Sequence, residues 1–152
     1  MAVDKVKAFF AGTGVDVIEL PESSATVDLA AEALSTEPDQ IAKTLSFLVN
    51  DEPVLVVMAG EARIDNHKYK GIFHKKAKMI PFDQVEDYVG HAPGGVCPFA
   101  VKDGVQVYLD ESLKRHEEVF PAAGSSNSAV KLSIPDLEKY SGYEAWIDVT
   151  KN

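Results

Sequence analysis

The sequence predicts a mixed α/β domain. At least five short strand candidates are interspersed with helical segments, and one of them, Val54 to Ala59, is a continuous apolar run suited to the middle of a sheet. Connections late in the chain are of hairpin length, which argues against a regular alternating βα unit and therefore against a dinucleotide fold. Gly12-Thr13-Gly14 lacks the remaining glycine of the dinucleotide fingerprint, and no Walker-type Gly-Lys-Ser/Thr occurs.

Val3, Val6, Phe9 and Phe10 have helical spacing, closed by Gly12 and Gly14, so Val3 to Phe10 reads as an opening helix. β-Branched content before Pro21 favours a short strand over Val15 to Leu20. Leu29, Ala30, Ala33 and Leu34 form one apolar face of a helix over Thr26 to Leu34. A third helix is expected to start at Thr36-Glu37-Pro38-Asp39, with Thr36 as cap, proline in the first turn and Asp39 completing a capping box, and to run through Ile41 and Ala42. Lys43 and Thr44 stand where the pattern changes to the strand-like Leu45 to Val49, and Asn50 to Pro53 is a turn leading into Val54 to Ala59.

After Gly60 a partly helical basic segment ends near Gly71. Met79 to Val89 reads as a short extended piece followed by a helix with Phe82, Val85 and Val89 on one side. Val105 to Leu109 alternates as a strand with Val105, Val107 and Leu109 inward, and Glu111 to Glu117 is a short polar helix. Glu118 to Ala122, Ala129 to Leu132 and Ala145 to Val149 are further strands, with a helix over Ile134 to Tyr140. No internal repeat or low-complexity stretch interrupts the 152 residues, and one domain spanning 1–152 is expected.

The apolar runs are far too short to cross a bilayer, and Met1 to Gly14 carries Asp4 and no long hydrophobic core, so neither a membrane span nor an export signal is expected. A single cysteine, Cys97, forms no internal disulfide and points to a reducing, cytoplasmic compartment. The formal charge of -9 argues against unspecific wrapping of nucleic acid. A local positive segment survives, however: Arg63, Lys68, Lys70, Lys75, Lys76 and Lys78 face one acid, Asp65. It reads either as a solvated helix face and loop or as a contact for a phosphate backbone of modest strength.

The residues with chemical potential begin with the loop Gly94-Gly95-Val96-Cys97-Pro98-Phe99. Adjacent glycines followed by proline can turn successive N–H groups toward one point, where they hold a carbonyl oxygen or a phosphate. Lys43, in an apolar stretch, is either a lysine laying its stem along the core edge or a fixed cation near a reacting centre. Cys97 is a nucleophile only if a base activates it, and no partner is identifiable from spacing; a cysteine before proline in a tight loop is otherwise packed. His91 either lines the site or faces water. His67, His74, His91 and His116 are scattered without a metal-ligand pattern, so neither a metal nor another cofactor is expected. Gly124-Ser125-Ser126-Asn127-Ser128 is either a turn that satisfies its own backbone or the opposite wall of a polar pocket beside the glycine loop.

Three pieces in this order carry a resemblance: Ala42-Lys43-Thr44-Leu45, the Gly94 to Pro98 loop as Gly-x-x-x-Pro, and Phe120-Pro121-Ala122-Ala123-Gly124-Ser125 before Ile134-Pro135-Asp136-Leu137. From about Ile18 to Val149 the chain resembles the YbaK/EbsC family of free-standing aminoacyl-tRNA editing domains, which is similar to the editing insertion of bacterial prolyl-tRNA synthetase. The resemblance implies a curved central sheet with surrounding helices, and hydrolysis of the ester between a small wrong amino acid and the terminal adenosine of tRNA, most often tRNA for proline. It implies that Lys43 contacts substrate near the ester or the terminal nucleotide, and that N–H groups of Gly94, Gly95, Val96, Cys97 and Pro98's loop hold the substrate carbonyl. No protein nucleophile or metal is implied; water or a ribose hydroxyl attacks, and catalysis rests on positioning.

His91, Phe99, Gly124, Ser125 and Ser126 are the expected substrate-binding surroundings, and Arg63, Lys68, Lys70, Lys75, Lys76 and Lys78 the expected contacts to the tRNA backbone. Many relatives carry serine where this chain has Cys97, which leaves alanine, cysteine, serine and threonine open as the amino acid removed. The expected partner is the acceptor end of mischarged tRNA, with prolyl-tRNA synthetase as a further candidate. Two alternatives stand beside this reading: a non-catalytic module that binds a tRNA end or a protein, and a cysteine-dependent hydrolase of another small ester or amide.

Overall fold

The structure is a computed structural model that describes residues 2–21 and 26–151. Helix α1 (Ala2–Phe10) precedes strand β1 (Val17–Glu19) and helix α2 (Val27–Leu34). Thr26 caps α2 by accepting from Leu29 N–H at 3.2 Å, and Ser35 ends it in the left-handed region. Strands β2 (Ile41–Val49) and β3 (Glu52–Ala59) form the central hairpin, followed by α3 (Asn66–Phe73) and α4 (Val85–Val89). The remainder is β4 (Gln106–Asp110), β5 (Glu118–Pro121), β6 (Ser128–Val130), β7 (Leu132–Ser133), α5 (Ile134–Ser141) and β8 (Ala145–Ile147).

Six strands form one mixed sheet in the order β7-β5-β2-β3-β4-β8, while β1 pairs with β6 in a separate two-stranded ladder. As the apolar run predicts, β3 is central: it pairs antiparallel with β2 and parallel with β4, and Val54 to Ala59 are all buried. Alternation then divides the core between the two faces. Leu55, Val57, Val107 and Leu109 pack with Val6 and Phe10 of α1 and Leu137 of α5. Val54, Val56 and Met58 pack with Phe47, Tyr69 of α3 and Val149.

Three local expectations are corrected. No α-helix runs from Thr36 through Ala42: Pro38–Gln40 is one 3-10 turn, capped at Glu37 rather than Thr36, and Ile41 already pairs with Phe120. The Gln40 side chain closes that turn by accepting from Thr36 Oγ1 (2.6 Å) and Glu37 N–H (3.4 Å), and strand pairing takes over from helix propensity at the next residue. Phe82 does not join Val85 and Val89 on a buried face. A 3-10 turn over Phe82–Gln84 changes the helical phase ahead of α4, leaving Phe82 79% exposed while Val85 and Val89 are buried. The segment after Asp110 is also a 3-10 turn (Glu111–Arg115) and not wholly polar in role, since Ser112 and Leu113 are buried.

Asp110, fully buried at the end of β4, fastens the C-terminal segment to the sheet. Its carboxylate accepts from Val149 N–H (2.8 Å), Ser112 N–H (2.9 Å) and Thr150 Oγ1 (2.8 Å), and Ser112 Oγ in turn accepts from Ala59 N–H (3.0 Å). Removing the carboxylate strands buried donors from two elements at once. Asp110→Ala is therefore expected to lower unfolding free energy by about 3–5 kcal/mol, measured by urea denaturation; a change below about 1 kcal/mol contradicts this account of the junction.

Candidate functional site: a gap at the outer edge of β2

The inner edge of β2 pairs with β3 from Ala42 to Val49, but its outer edge is covered only at its ends. β5 pairs with Ile41 and Ala42 alone. At the other end the chain returns at Met79, which bridges Phe47, while Leu48 N–H donates to Lys78 O (2.8 Å) and Ile80 N–H to Ser46 O (3.0 Å). Among the described residues, Lys43, Thr44 and Leu45, between these two contacts, have no strand neighbour on that side. Because Ser46 O and Leu48 N–H face outward, ladder alternation turns the backbone N–H and C=O of Thr44 into the same gap. The Thr44 hydroxyl is buried and has no hydrogen-bond partner among the described residues.

A cavity of about 510 Å³ opens at this gap. Its walls include Val27, Ala30 and Leu34 of α2, Lys43 to Ser46 of β2, Met79, Ile80, Phe82 and Val85, the loop residues Pro93, Gly94 and Val96, and Phe120, Ala122, Ser128 and Ala129. Apolar side chains dominate, with hydroxyls at Thr44, Ser46 and Ser128. Such a mostly apolar, concave space with a few convergent polar groups is suited to a small ligand.

Lys43 also borders a second, polar recess with Asp28, Gly60, Glu61 and Arg63. Its Nζ donates to the carbonyl oxygens of Gly60 (3.1 Å) and Ala62. An ammonium has three donors, so these bonds fix its position and leave one donor for a ligand. Burial, and then the neighbouring Arg63 guanidinium, lowers the Lys43 pKa from the ordinary lysine value, with Asp39 opposing. Gly60 itself is packed too tightly for a side chain: a Cβ there would stand 2.0 Å from Pro38 O and 2.8 Å from Val27 Cγ1.

The two glycine-containing loops do lie side by side. Gly124 N–H donates to Gly95 O (3.1 Å), and a Cβ on Gly95 would stand 2.5–2.7 Å from backbone atoms of Gly124 and Ser125. Gly94 takes φ +90, a conformation open to glycine. Gly95 N–H, however, donates to Ala92 O (3.0 Å), so this amide closes the turn and does not face a ligand. Pro98 has no N–H, which leaves Gly94 and Val96 as the loop residues that border the cavity with an amide.

The sequence of the aminoacyl-tRNA editing domain family matches residues 21–140. The chain belongs to this family. It is 47% identical over 138 residues, 90% of this chain and 88% of the other, to the uncharacterized protein YwhH of Bacillus subtilis strain 168. Against the proline–tRNA ligase of Lactiplantibacillus plantarum it is 26% identical over 125 residues, spanning 82% of this chain but 22% of that enzyme. A crystal structure of a proposed trans-editing enzyme for prolyl-tRNA synthetase superposes with a TM-score of 0.88 at 27% identity, covering 99% of this chain and 98% of that one. The expected editing-domain architecture, a mixed α/β fold around a curved sheet, is thus the observed one.

Within this editing domain, Cys97 is placed differently from the expectation that its side chain meets a ligand. The thiol is fully buried in the main core, 3.5 Å from His91 Nε2 and 3.7 Å from Phe99 O. Burial pushes its pKa up to about 12, and burial likewise lowers that of His91, so the two remain a neutral thiol and imidazole rather than an ion pair. His91 and Phe99 are themselves fully buried; His91 Nε2 bonds Phe99 O at 2.6 Å, and the Phe99 ring packs against Phe10. These three residues support the loop from beneath.

In the serine loop, the Ser125 hydroxyl bonds Asn127 Oδ1 (2.9 Å) and Ser128 Oγ (2.6 Å), while Asn127 is tied to Leu20. Ser128 and Ala129 reach the cavity wall, whereas Gly124, Ser125 and Ser126 are outside it. The basic segment divides. Arg63 borders the recess, Lys70 is exposed on α3, and Lys68 bonds Asp148 (3.1 Å) and Thr150 O (2.8 Å), fastening α3 to the C-terminal segment. Lys75, Lys76 and Lys78 are exposed on the stretch that returns to the β2 edge. Among the described residues, no group of three His, Cys, Asp or Glu side chains converges as a metal-ligand set, and no helix is long and apolar enough to cross a membrane.

Sequence reasoning missed Thr44, Ser46 and Phe82 as site residues, and the α2 wall, whereas Ser128 belongs to the Gly124 to Ser128 loop it offered as a pocket wall. Of the missed residues only Thr44 carried a sequence signal, its place in Ala42-Lys43-Thr44-Leu45.

Two outcomes test this geometry. Because burial depresses the folded pKa of Lys43, its ammonium loses its proton before the surface lysines as pH rises; the Lys43 13Cε resonance should titrate below the exposed lysines, and coincident titration contradicts the placement. Cys97→Ala should retain activity while losing about 1 kcal/mol of stability; abolished turnover in a folded variant contradicts the packing role.

Proposed function

We propose that this editing domain hydrolyses, in trans, the ester joining a small wrong amino acid to the terminal adenosine of tRNA, with tRNA for proline the foremost substrate. The observation that carries the reading is Lys43. Lys43, its ammonium held by two carbonyls, borders both a mostly apolar cavity of about 510 Å³, ample for a small aminoacyl group, and a polar recess with Arg63. Family membership and the likeness to a proposed trans-editing enzyme for prolyl-tRNA synthetase support the same chemistry.

In this account the amino acid enters the gap beside Thr44, whose unpartnered hydroxyl and outward backbone groups meet its polar atoms. The ester carbonyl lies between the free donor of Lys43 and the Gly94 and Val96 amides. Water adds to the carbonyl carbon, and negative charge gathers on the carbonyl oxygen, where these donors favour it more than they favour the ground state. Collapse breaks the bond to the ribose oxygen, which takes a proton and leaves as the free 2′- or 3′-hydroxyl. Positioning and electrostatics carry the rate, with no covalent intermediate on Cys97.

Residues 1–152 act as one editing unit in the cytoplasm, where charged tRNA is made, with prolyl-tRNA synthetase as a working partner. Alanine, cysteine, serine and threonine are the candidate amino acids. A hydroxyl or methylene difference in an apolar cavity discriminates by only about 1–3 kcal/mol, so more than one is a substrate unless Thr44 is left unpaired by the poorer fit.

Release of labelled amino acid from Ala-, Cys-, Ser- and Thr-tRNA for proline tests the proposal. The native protein should clear at least one of them, and Lys43→Ala, with unchanged thermal unfolding, should lower kcat/KM by about 100- to 1000-fold. Tight tRNA binding without release from any substrate would establish a non-catalytic module instead.

A further inference from the structure

Phe82 stands out at the mouth of the cavity. Among the described residues it is the most exposed large hydrophobic side chain, at 79%, followed by Met79 at 53%, and both border the cavity. The position is rigid. Ile80, just before it, is buried and bonded to Ser46 O, while Val85, just after, is buried at the start of α4. Between them Pro81 opens the 3-10 turn that carries Phe82, and Gln84 N–H closes it onto Pro81 O at 2.8 Å. The ring is thus presented to solvent by a fixed turn and has no aromatic neighbour of its own among the described residues.

The segment that leads to it is basic on an otherwise acidic chain, while exposed Asp83, Glu86 and Asp87 follow it. Lys75, Lys76 and Lys78 precede it on the same returning segment, are exposed, and form no ion pair or side-chain hydrogen bond among the described residues. Lys68, by contrast, is engaged with Asp148. An exposed aromatic ring beside unpaired lysines is the combination that binds single-stranded nucleic acid: the ring stacks a base and the cations follow the phosphates.

We propose that Phe82 is a stacking platform for an unpaired base in the single-stranded 3′ end of the RNA whose terminal aminoacyl group enters the cavity, with Lys75, Lys76 and Lys78 along its phosphates. The proposal rests on the editing reading of the same cavity and adds how the strand is gripped outside it. Charge favours RNA over a protein partner on the Lys75 to Lys78 side of the ring, where three exposed cations attract a polyanion, and Asp83, Glu86 and Asp87 on the other side direct its phosphates toward that segment. Stacking is indifferent to base identity, so Phe82 supplies affinity and register rather than selection among tRNAs.

Fluorescence anisotropy with uncharged tRNA for proline, and with a short labelled RNA ending in the same unpaired nucleotides, provides the test. Phe82→Ala and Phe82→Leu should each weaken binding about 10-fold, whereas Phe82→Trp should bind at least as tightly as the native protein. The salt dependence of binding should persist in Phe82→Ala and flatten when Lys75, Lys76 and Lys78 are replaced together by alanine. In deacylation assays the Phe82→Ala loss should fall in KM rather than kcat.

Leucine matching phenylalanine, alanine leaving affinity unchanged, or no measurable binding by the native protein would each overturn the proposal. So would a Phe82→Ala variant that loses self-association while keeping RNA affinity, which would make the ring a protein contact. Binding is read on uncharged RNA, so an absence of deacylase activity would count against the editing reading and leave this test intact.

Discussion

The site depends on a strand that is missing from the sheet for three residues. β2 is fully paired on its β3 side, but on the other side β5 leaves after Ala42 and the Met79 segment arrives only at Phe47. An open edge normally invites a second strand, and proteins blunt it by covering it. Here α2, the Met79 to Val85 segment and the Gly94 loop cover it at a distance, so that the gap becomes a cavity rather than an exposed edge. The backbone of Thr44 is thereby available to a ligand while the rest of the sheet satisfies its own hydrogen bonds.

Lys43 can occupy the rim of that gap because two carbonyls wait for it. Gly60 and Ala62 lie just past the end of β3, and the antiparallel register opposite Met58 brings them within reach of the Lys43 ammonium. Burial of a cation is unfavourable, and the lowered pKa is its signature; the carbonyl bonds offset part of that cost and hold the charge in one place. A preorganised charge needs little rearrangement as a reaction develops negative charge nearby. Two glycines permit tight packing at the site, Gly60 against Pro38 beside a carbonyl that holds the Lys43 ammonium, and Gly95 against the Gly124–Ser125 backbone in the neighbouring loops, where a methyl group has no room.

What could be read from the sequence follows the range of the forces involved. The central position of β3 was legible because burial on both faces leaves a continuous apolar run. Ile41 and Ala42 misled because a helix signal at Pro38 spans one turn, while the pairing with Phe120 and Pro121 that makes them a strand lies about 80 residues away. Lys43 and the Gly94 loop stood out by residue type. Packing of Cys97 was one of the two readings its place before proline allowed, while burial of the His91 and Phe99 side chains did not stand out, since it is imposed by Phe10 on α1 and the rest of the core. Nothing local marks Ser46 or Phe82 as site residues, because a strand edge or a turn becomes part of a site only through the order in which strands assemble.

The central claim is that ligand occupies the gap between Lys43 and the Gly94 loop, and titration with a non-hydrolysable amide analogue of aminoacyl-adenosine, followed by amide NMR shifts, tests it most directly. The account predicts the largest shifts at Thr44, Ser46, Gly94, Val96 and Ser128, with Gly95 moving less because its N–H is already bonded. Saturable shifts centred elsewhere, with these residues unmoved, would contradict it.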